Sequence, residues 1–392
     1  MRIEYTAEQQ ALSEQLRAYF KELMTPELEA EIAALHEGGG PLYHQALQQL
    51  GRDRWLGIGW AVEYGGQGRT AIEQYIFADE VQRAGFPLPF LTLETVGPTL
   101  AERGTAEQRR MFVPRILAGT LHFAIGYTEP GAGTDLASLT TRAVRDGDSW
   151  VINGQKVFTS GANYADYIWL AVRTDADARK HKGISIIMVP TAAPGFSLTP
   201  IHCMGGLRTN ATYYDDVRVP LDHLVGEVNQ GWGLITSQLN RERLSLVNHG
   251  AISGMLADVT TWARGKRLAD GRRLMDLPRV QTNLARVKAG VAALRLLCWK
   301  QAWAIERGEL SPADASAAKV YGSELFIEAY RLLLEVMGQA GYVKRGSPEA
   351  VLHGLIESRY ASGAVLTFGG GTNEIQRDII AAAGLRMPRG ER

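Results

Sequence analysis

The chain has 392 residues, of which 42 are Lys or Arg and 42 are Asp or Glu. That length exceeds what one small core fills and predicts two or three structural units. A formal net charge of zero removes the global electrostatic grip expected of a protein that binds DNA, RNA or anionic lipid, which leaves small molecules and other proteins as partners.

Cys203 and Cys298 lack CxxC spacing, so neither a disulfide framework nor a thiolate metal site is expected, and a reducing cytoplasm suits them. The start, "MRIEYTAEQQ", has no apolar leader core, and no run of about 18 apolar residues occurs, so no membrane span is expected.

From Thr6 to about residue 120 the pattern is helical. Thr6 with Gln9 and Thr70 with Glu73 have capping-box spacing, and Leu12, Leu16, Phe20 and Leu23 recur at helical intervals. Around His122 the texture changes to short β-branched runs: "HFAIGYT", "SWVINGQKVFTS", "YIWLAVRT" and "GISIIMVP". Asp146-Gly147 and Asn153-Gly154 read as turns between strands. After Gly231 helical periodicity returns, with breaks at "LADGRRLMDLP", "RGELSP" and "YVKRGSP". The expected units are a helical one over residues 1–121, a β-sheet or barrel over 122–228 and a helical bundle over 229–392, an α+β fold.

In "GWGLITSQLNRERLSLV", Ile235, Leu239, Glu242 and Leu246 are spaced by four, three and four, so Glu242 shares an apolar stripe. A carboxylate there must be paired, protonated or set beside a cavity. A salt bridge with Arg241 or Arg243 meets that demand, and so does a general base tuned by desolvation.

In "GYTEPGAGTDLASLTTRAV", small and hydroxyl residues follow a strand, so that backbone N–H groups can face a phosphate or a ring edge. "GAGTDL" lacks the third glycine of a dinucleotide fingerprint. Phosphate-loop, HExxH and GxSxG motifs are missing, which removes the common hydrolytic classes.

"YTEPGAGTD", "VINGQKVFTSGANYADY" and "MGGLRTNATYYDDVRVP", in this order and on this background, resemble the acyl-CoA dehydrogenase family nearly end to end. The resemblance implies a helical N-terminal domain, a middle β domain and a C-terminal four-helix bundle. It implies bound FAD, oxidation of an acyl-CoA thioester to the trans-2-enoyl-CoA, and electrons passed to an electron-transfer flavoprotein. Tyr127, Thr128, Gly133 and Thr134 match the flavin-contacting loop, and Thr134 also a position near CoA. In "KVFTS", Phe158 takes the place of the aromatic against the flavin ring, with Thr159 beside it and Ser160 near flavin N5.

The family places its catalytic glutamate in one of two spots, and here these are Gly370 and Glu242, so the resemblance assigns the base to Glu242. Asn240 and Arg243 match substrate-neighbouring positions, Thr372 and Glu374 positions at the FAD adenosine end across a subunit boundary, and Gly370 offers space and an N–H to the thioester.

Two segments depart from the family pattern. Residues 262–279, "WARGKRLADGRRLMDLPR", lack the Arg-x-x-Phe-Gly through which a neighbouring subunit's FAD is usually reached, and "EVMGQAGY" blurs the usual Gln-x-x-Gly-Gly. The chain is similar to one subunit of the hetero-oligomeric actinobacterial dehydrogenases of steroid side-chain thioesters. That implies a paralogous partner subunit, with a homotetramer as the alternative. An acyl-CoA oxidase, or a non-catalytic subunit completing a partner's flavin site, are the competing functions.

Overall fold

The structure, a computed structural model, describes residues 4–35, 38–246 and 248–388; the side chains of residues 239–246 lie outside the described set. Helix α1 (Ala7–Leu23) begins with a capping box, Thr6 and Gln9 each bonding the other's backbone N–H, and buries Leu12, Leu16 and Phe20. After α2 (Pro26–Leu35) and α3 (Pro41–Arg52), α4 (Ala71–Ala84) uses the second expected box, Thr70 and Glu73. It stops at Gly85, whose φ of 78° belongs to the left-handed turn that favours glycine. A π-helical turn, Leu91–Val96, runs into α5 (Gly97–Arg103), and α6 (Ala106–Leu117) completes the unit.

Strands β1 (Phe123–Gly126), β2 (Arg142–Asp146), β3 (Ser149–Lys156), β4 (Tyr167–Arg173), β5 (Ile184–Pro190), β6 (Phe196–His202), β7 (Arg208–Pro220) and β8 (Leu224–Val225) form one sheet. Its order is β6-β7-β3-β2-β4-β5-β8, with β1 parallel to β4. The unbroken apolar run of β4 follows from burial on both faces. Trp169 and Ala171 join Phe123, Ile184 and Met188 in the core shared with the N-terminal helices. Ile168, Leu170 and Val172 face the other way, onto Trp150, Ile152, Tyr214 and Val217.

Asp146-Gly147 makes the expected β2–β3 turn, with Asp146 paired to Ser149 and Gly147 at φ 59°. Asn153-Gly154 does not turn the chain. It lies inside β3, where the register against β7 shifts between Ile152 and Gly154. The extra residue sits on β7, and the Asn153 amide exchanges bonds of 2.9 and 3.0 Å with Asp216, itself at φ 49°. This bulge leaves Trp150, Ile152 and Lys156 all buried along β3.

The C-terminal helices are α7 (Gly231–Leu246), α8 (Gly250–Gly265), α9 (Pro278–Glu306), α10 (Pro312–Met337), α11 (Leu355–Ser362) and α12 (Asn373–Ile379). Val259, Val280, Leu284, Val287, Leu333 and Val336 are part of their core. Helix α8 lies flush on α4: a Cβ at Gly250 would come within 2.3 Å of Asp79 O, and one at Gly254 within 2.8 Å of Arg83 O. Gly250→Ala is therefore expected to cost roughly 1–3 kcal/mol by overpacking. A thermal melt of the variant checks this, and an unchanged Tm contradicts the packing. Among the described residues no helix is long and apolar enough to cross a membrane.

Candidate active site

β1 leads into a turn in which Glu129 and Ala132 exchange backbone hydrogen bonds of 3.0 and 3.1 Å. The buried Glu129 carboxylate accepts from Thr140 N (2.7 Å), Thr140 Oγ1 (2.8 Å), Thr141 N (2.8 Å) and Lys156 Nζ (2.8 Å). Lys156 Nζ also donates to Tyr127 O at 3.0 Å. Burial works against an ionised Glu129, but the Lys156 charge and these hydrogen bonds outweigh it and hold the carboxyl at about 2. The ion pair is a staple: it ties the 127–134 backbone to the end of β3.

Val157 N donates to Thr128 O at 2.8 Å, so Tyr127 and Thr128 run edge to edge with residues 158–160. Phe158 is 61 % exposed and has φ 61°, an uncommon left-handed conformation for an aromatic residue. Thr159 is buried; its N–H donates to Asn210 O (2.9 Å) and its hydroxyl lies 3.3 Å from that of Thr212. Ser160 is exposed, with Oγ 3.0 Å from Thr209 Oγ1.

The Tyr127 hydroxyl is engaged internally. It donates to Gln238 Oε1 and accepts from Trp169 Nε1 (3.1 Å), while Gln238 Nε2 donates to Thr99 Oγ1 (3.1 Å). One buried network thus joins the sheet, α5 and α7, and Gln238 stands one helical turn before Glu242. The Tyr127 side chain is thus taken up inside the protein.

The remaining loop residues face outward. Thr128 is half-buried and its hydroxyl has no hydrogen bond among the described residues; the same holds for the Gly133 and Thr134 N–H groups. A Cβ at Gly131 or Gly133 would meet nothing within 4 Å, and Thr134 is exposed. Open backbone, free donors and an exposed ring together suit a flat heterocycle with polar edges, so these residues fit the flavin expected from the sequence.

The other predicted group lies on the C-terminal helices. Gly370 and Gly371 have φ of 67° and 94°. Lys319, buried in α10, donates to Gly371 O and Asn373 Oδ1, both at 2.8 Å, and Ser316 Oγ donates to Gln376 Oε1 at 2.7 Å. Thr372 caps α12 by accepting the Ile375 N–H at 3.2 Å, and Glu374 is exposed. Helix α11, just before this loop, docks on the β domain where Ser358 Oγ donates to Gly205 O.

Asn240, Glu242 and Arg243 fall on α7, which packs against α10 and the Leu91–Val96 turn, but their side chains lie outside the described residues. The structure therefore joins 127–134 to 158–160 directly, and holds 370–374 on a separate support.

Glu129, Lys156, Trp169 and Gln238 escaped the sequence reading. Strand alternation carried a usable signal for one of them: Lys156 has the parity of Trp150 and Ile152, and a lysine on an inward face needs an acidic partner.

Family models for the acyl-CoA dehydrogenase N-terminal, middle and C-terminal domains match residues 6–120, 124–217 and 229–385. The chain is 54 % identical to acyl-CoA dehydrogenase FadE26 of Mycobacterium tuberculosis over 401 residues, covering 100 % of both. It matches a chain of the ChsE4-ChsE5 complex from Mycobacterium tuberculosis with a TM-score of 0.93 at 54 % identity, and one of the Tcur3481-Tcur3483 steroid ACAD with 0.93 at 52 %, each over 100 % of both chains. With a flavin-fitting loop in place and all three domains matched end to end, the chain belongs to the acyl-CoA dehydrogenase family of FAD-dependent oxidoreductases.

Proposed function

We propose that this chain is the base-carrying subunit of a dehydrogenase that converts a branched or steroid side-chain acyl-CoA to its trans-2-enoyl thioester. The observation that carries the reading is Phe158, exposed and left-handed beside an open glycine turn. A largely exposed aromatic in a left-handed conformation points to a ligand ring.

The Tyr127 backbone, Thr128, Gly133, Thr134, Phe158, Thr159 and Ser160 would hold the flavin side, and Thr372 and Glu374 the adenosine end across a subunit boundary. Bound FAD supplies the acceptor for the β-hydrogen and its electron pair. Glu242 takes the α-proton. The Gly370 N–H polarises the thioester carbonyl, which acidifies that proton, while Asn240, Arg243 and Thr134 flank the substrate. At φ 67° position 370 suits glycine far better than glutamate, which favours the base on α7.

The two-chain names of the solved relatives, one of them called a steroid ACAD, support a hetero-oligomer with a paralogous subunit and a steroid-type thioester. So does the 262–279 segment, which departs from the family pattern and where Arg272 pairs with Asp270 (2.6 Å) and Arg273 with Asp276 (2.8 Å). A homotetramer is the second arrangement. Electrons pass to an electron-transfer flavoprotein, in the cytoplasm.

Purified alone, the chain is expected to carry little FAD; co-expressed with its paralogue, it should carry a defined fraction of one per chain. Full occupancy and turnover of the solitary chain would remove the partner. Turnover that needs only oxygen would make the enzyme an oxidase.

A further inference from the structure

Gln238 is 1 % exposed, and its side-chain amide joins three elements that lie far apart in sequence. Oε1 accepts from the Tyr127 hydroxyl, just after β1, and from Trp169 Nε1 of β4 at 3.2 Å. Nε2 donates to Thr99 Oγ1 of α5 at 3.1 Å, and the Thr99 hydroxyl donates in turn to Thr95 O at 2.7 Å, in the π-helical turn. Thr92 ties that turn back to β1, its Oγ1 accepting from Phe123 N at 2.9 Å. The amide has one orientation here: an indole N–H only donates, so the atom facing Trp169 is the oxygen.

Two ends of the reaction meet at this amide. Tyr127 O accepts from Lys156 Nζ at 3.0 Å, so Tyr127 belongs to the staple of the flavin-fitting loop. Position 242 lies one turn beyond Gln238 on the same face of α7, about 6 Å along the helix. Taking an α-proton and a β-hydrogen from one substrate demands a fixed spacing between base and flavin, and a misplacement of about 1 Å can cost on the order of 10²-fold in rate. Helix α7 and the 127–134 loop belong to different units, so that spacing depends on contacts across their boundary. Apolar packing such as that of Ile235 is non-directional, whereas hydrogen bonds from one amide to several elements fix the helix in rotation and translation.

We propose that Gln238 is a positioning residue: through Tyr127 and Thr99 it sets the register of the base-carrying helix against the flavin loop. The assignment rests on the dehydrogenase reading above, with Glu242 as the base.

The test uses the flavin-loaded complex without oxygen and two variants: Tyr127→Phe cuts the link on the flavin side, and Gln238→Met cuts it on both. Both are expected to keep the wild-type FAD content, because the Glu129–Lys156 pair still holds the loop. KM should stay within about twofold of wild type, since ground-state binding is untouched. Flavin reduction should slow about tenfold in Tyr127→Phe, where Trp169 still reaches the amide, and about 10²-fold in Gln238→Met. A thioester with sulfur in place of its β-carbon can lose the α-proton but has no β-hydrogen to give. Its enolate stacked on oxidised flavin should produce a long-wavelength charge-transfer band in wild type that forms more slowly in Gln238→Met. Gln238→Glu supplies the rescue: burial favours its protonated form, whose oxygen and O–H reproduce the acceptor and donor of the amide. Its reduction rate relative to wild type should exceed that of Gln238→Met, most of all at low pH.

Wild-type reduction rates in Tyr127→Phe and Gln238→Met overturn the assignment while the dehydrogenase reading stands. So does a loss confined to FAD content, with the remaining flavin reduced at the wild-type rate, and so does a Gln238→Glu protein as slow as Gln238→Met at every pH. If no thioester of any kind reduces the wild-type flavin, the reading and the assignment fall together.

Discussion

Glu242→Gln is expected to leave FAD bound and to slow its reduction by acyl-CoA by about 10³-fold or more, the upper range for removing a general base. The amide keeps the size and hydrogen-bonding reach of the carboxylate but cannot take a proton. Flavin should remain because the flavin-fitting residues 127–134 and 158–160 are held by β3, β7 and the Glu129–Lys156 pair, none of which depends on Glu242. Rapid mixing of the oxidised complex with substrate in the absence of oxygen measures the rate. Undiminished reduction would move the base elsewhere. The nearby Tyr127–Gln238–Thr99 network fixes the preceding turn of α7, so a change confined to residue 242 is expected to stay local.

Lys156→Met is expected to destabilise the protein by about 3–5 kcal/mol, because it strands a carboxylate in the interior, and to release FAD with it. The methionine matches the lysine stem but, among the described residues, leaves Glu129 with Thr140 and Thr141 as donors, and it removes the Lys156 donor from Tyr127 O. Adding Glu129→Gln should recover part of the loss, since the uncompensated charge goes with it.

The pair also sets an acid limit. Glu129 in the fold titrates at about 2, against an ordinary value of 4.5. Its stabilisation is thus fully present above about pH 4.5 and is lost as pH falls toward 2. Denaturant unfolding of wild type and both variants, with FAD per chain recorded beside it, checks all of this. A Lys156→Met protein of wild-type stability and flavin content would show that the staple does not hold the loop.

The order of helical, β and helical units was legible because its signals are local. Both expected capping boxes form as their spacing requires, and Leu12, Leu16 and Phe20 point inward together. Asn153-Gly154 misled because the same dipeptide that favours a hairpin turn also serves where a facing strand bulges, and only pairing with Asp216 on β7 decides between them.

The site was legible at the level of motif, through family resemblance, and less so at the level of atoms. Tyr127 and Thr128 are neighbours in sequence, yet one hydroxyl is locked to Gln238 and Trp169 while the other has no partner among the described residues. Contacts across 111 and 42 positions separate their fates, and no local pattern encodes such partners. Glu129 and Lys156, 27 positions apart, escaped for the same reason.

Anaerobic titration of the flavin-loaded complex with acyl-CoA thioesters, straight-chain, branched and ring-bearing, tests the central claim most directly. The expected result is bleaching of the oxidised flavin by at least one class, with a product thioester lighter by two hydrogens. A flavin that stays oxidised with every thioester, in a complex that retains its FAD, would contradict it.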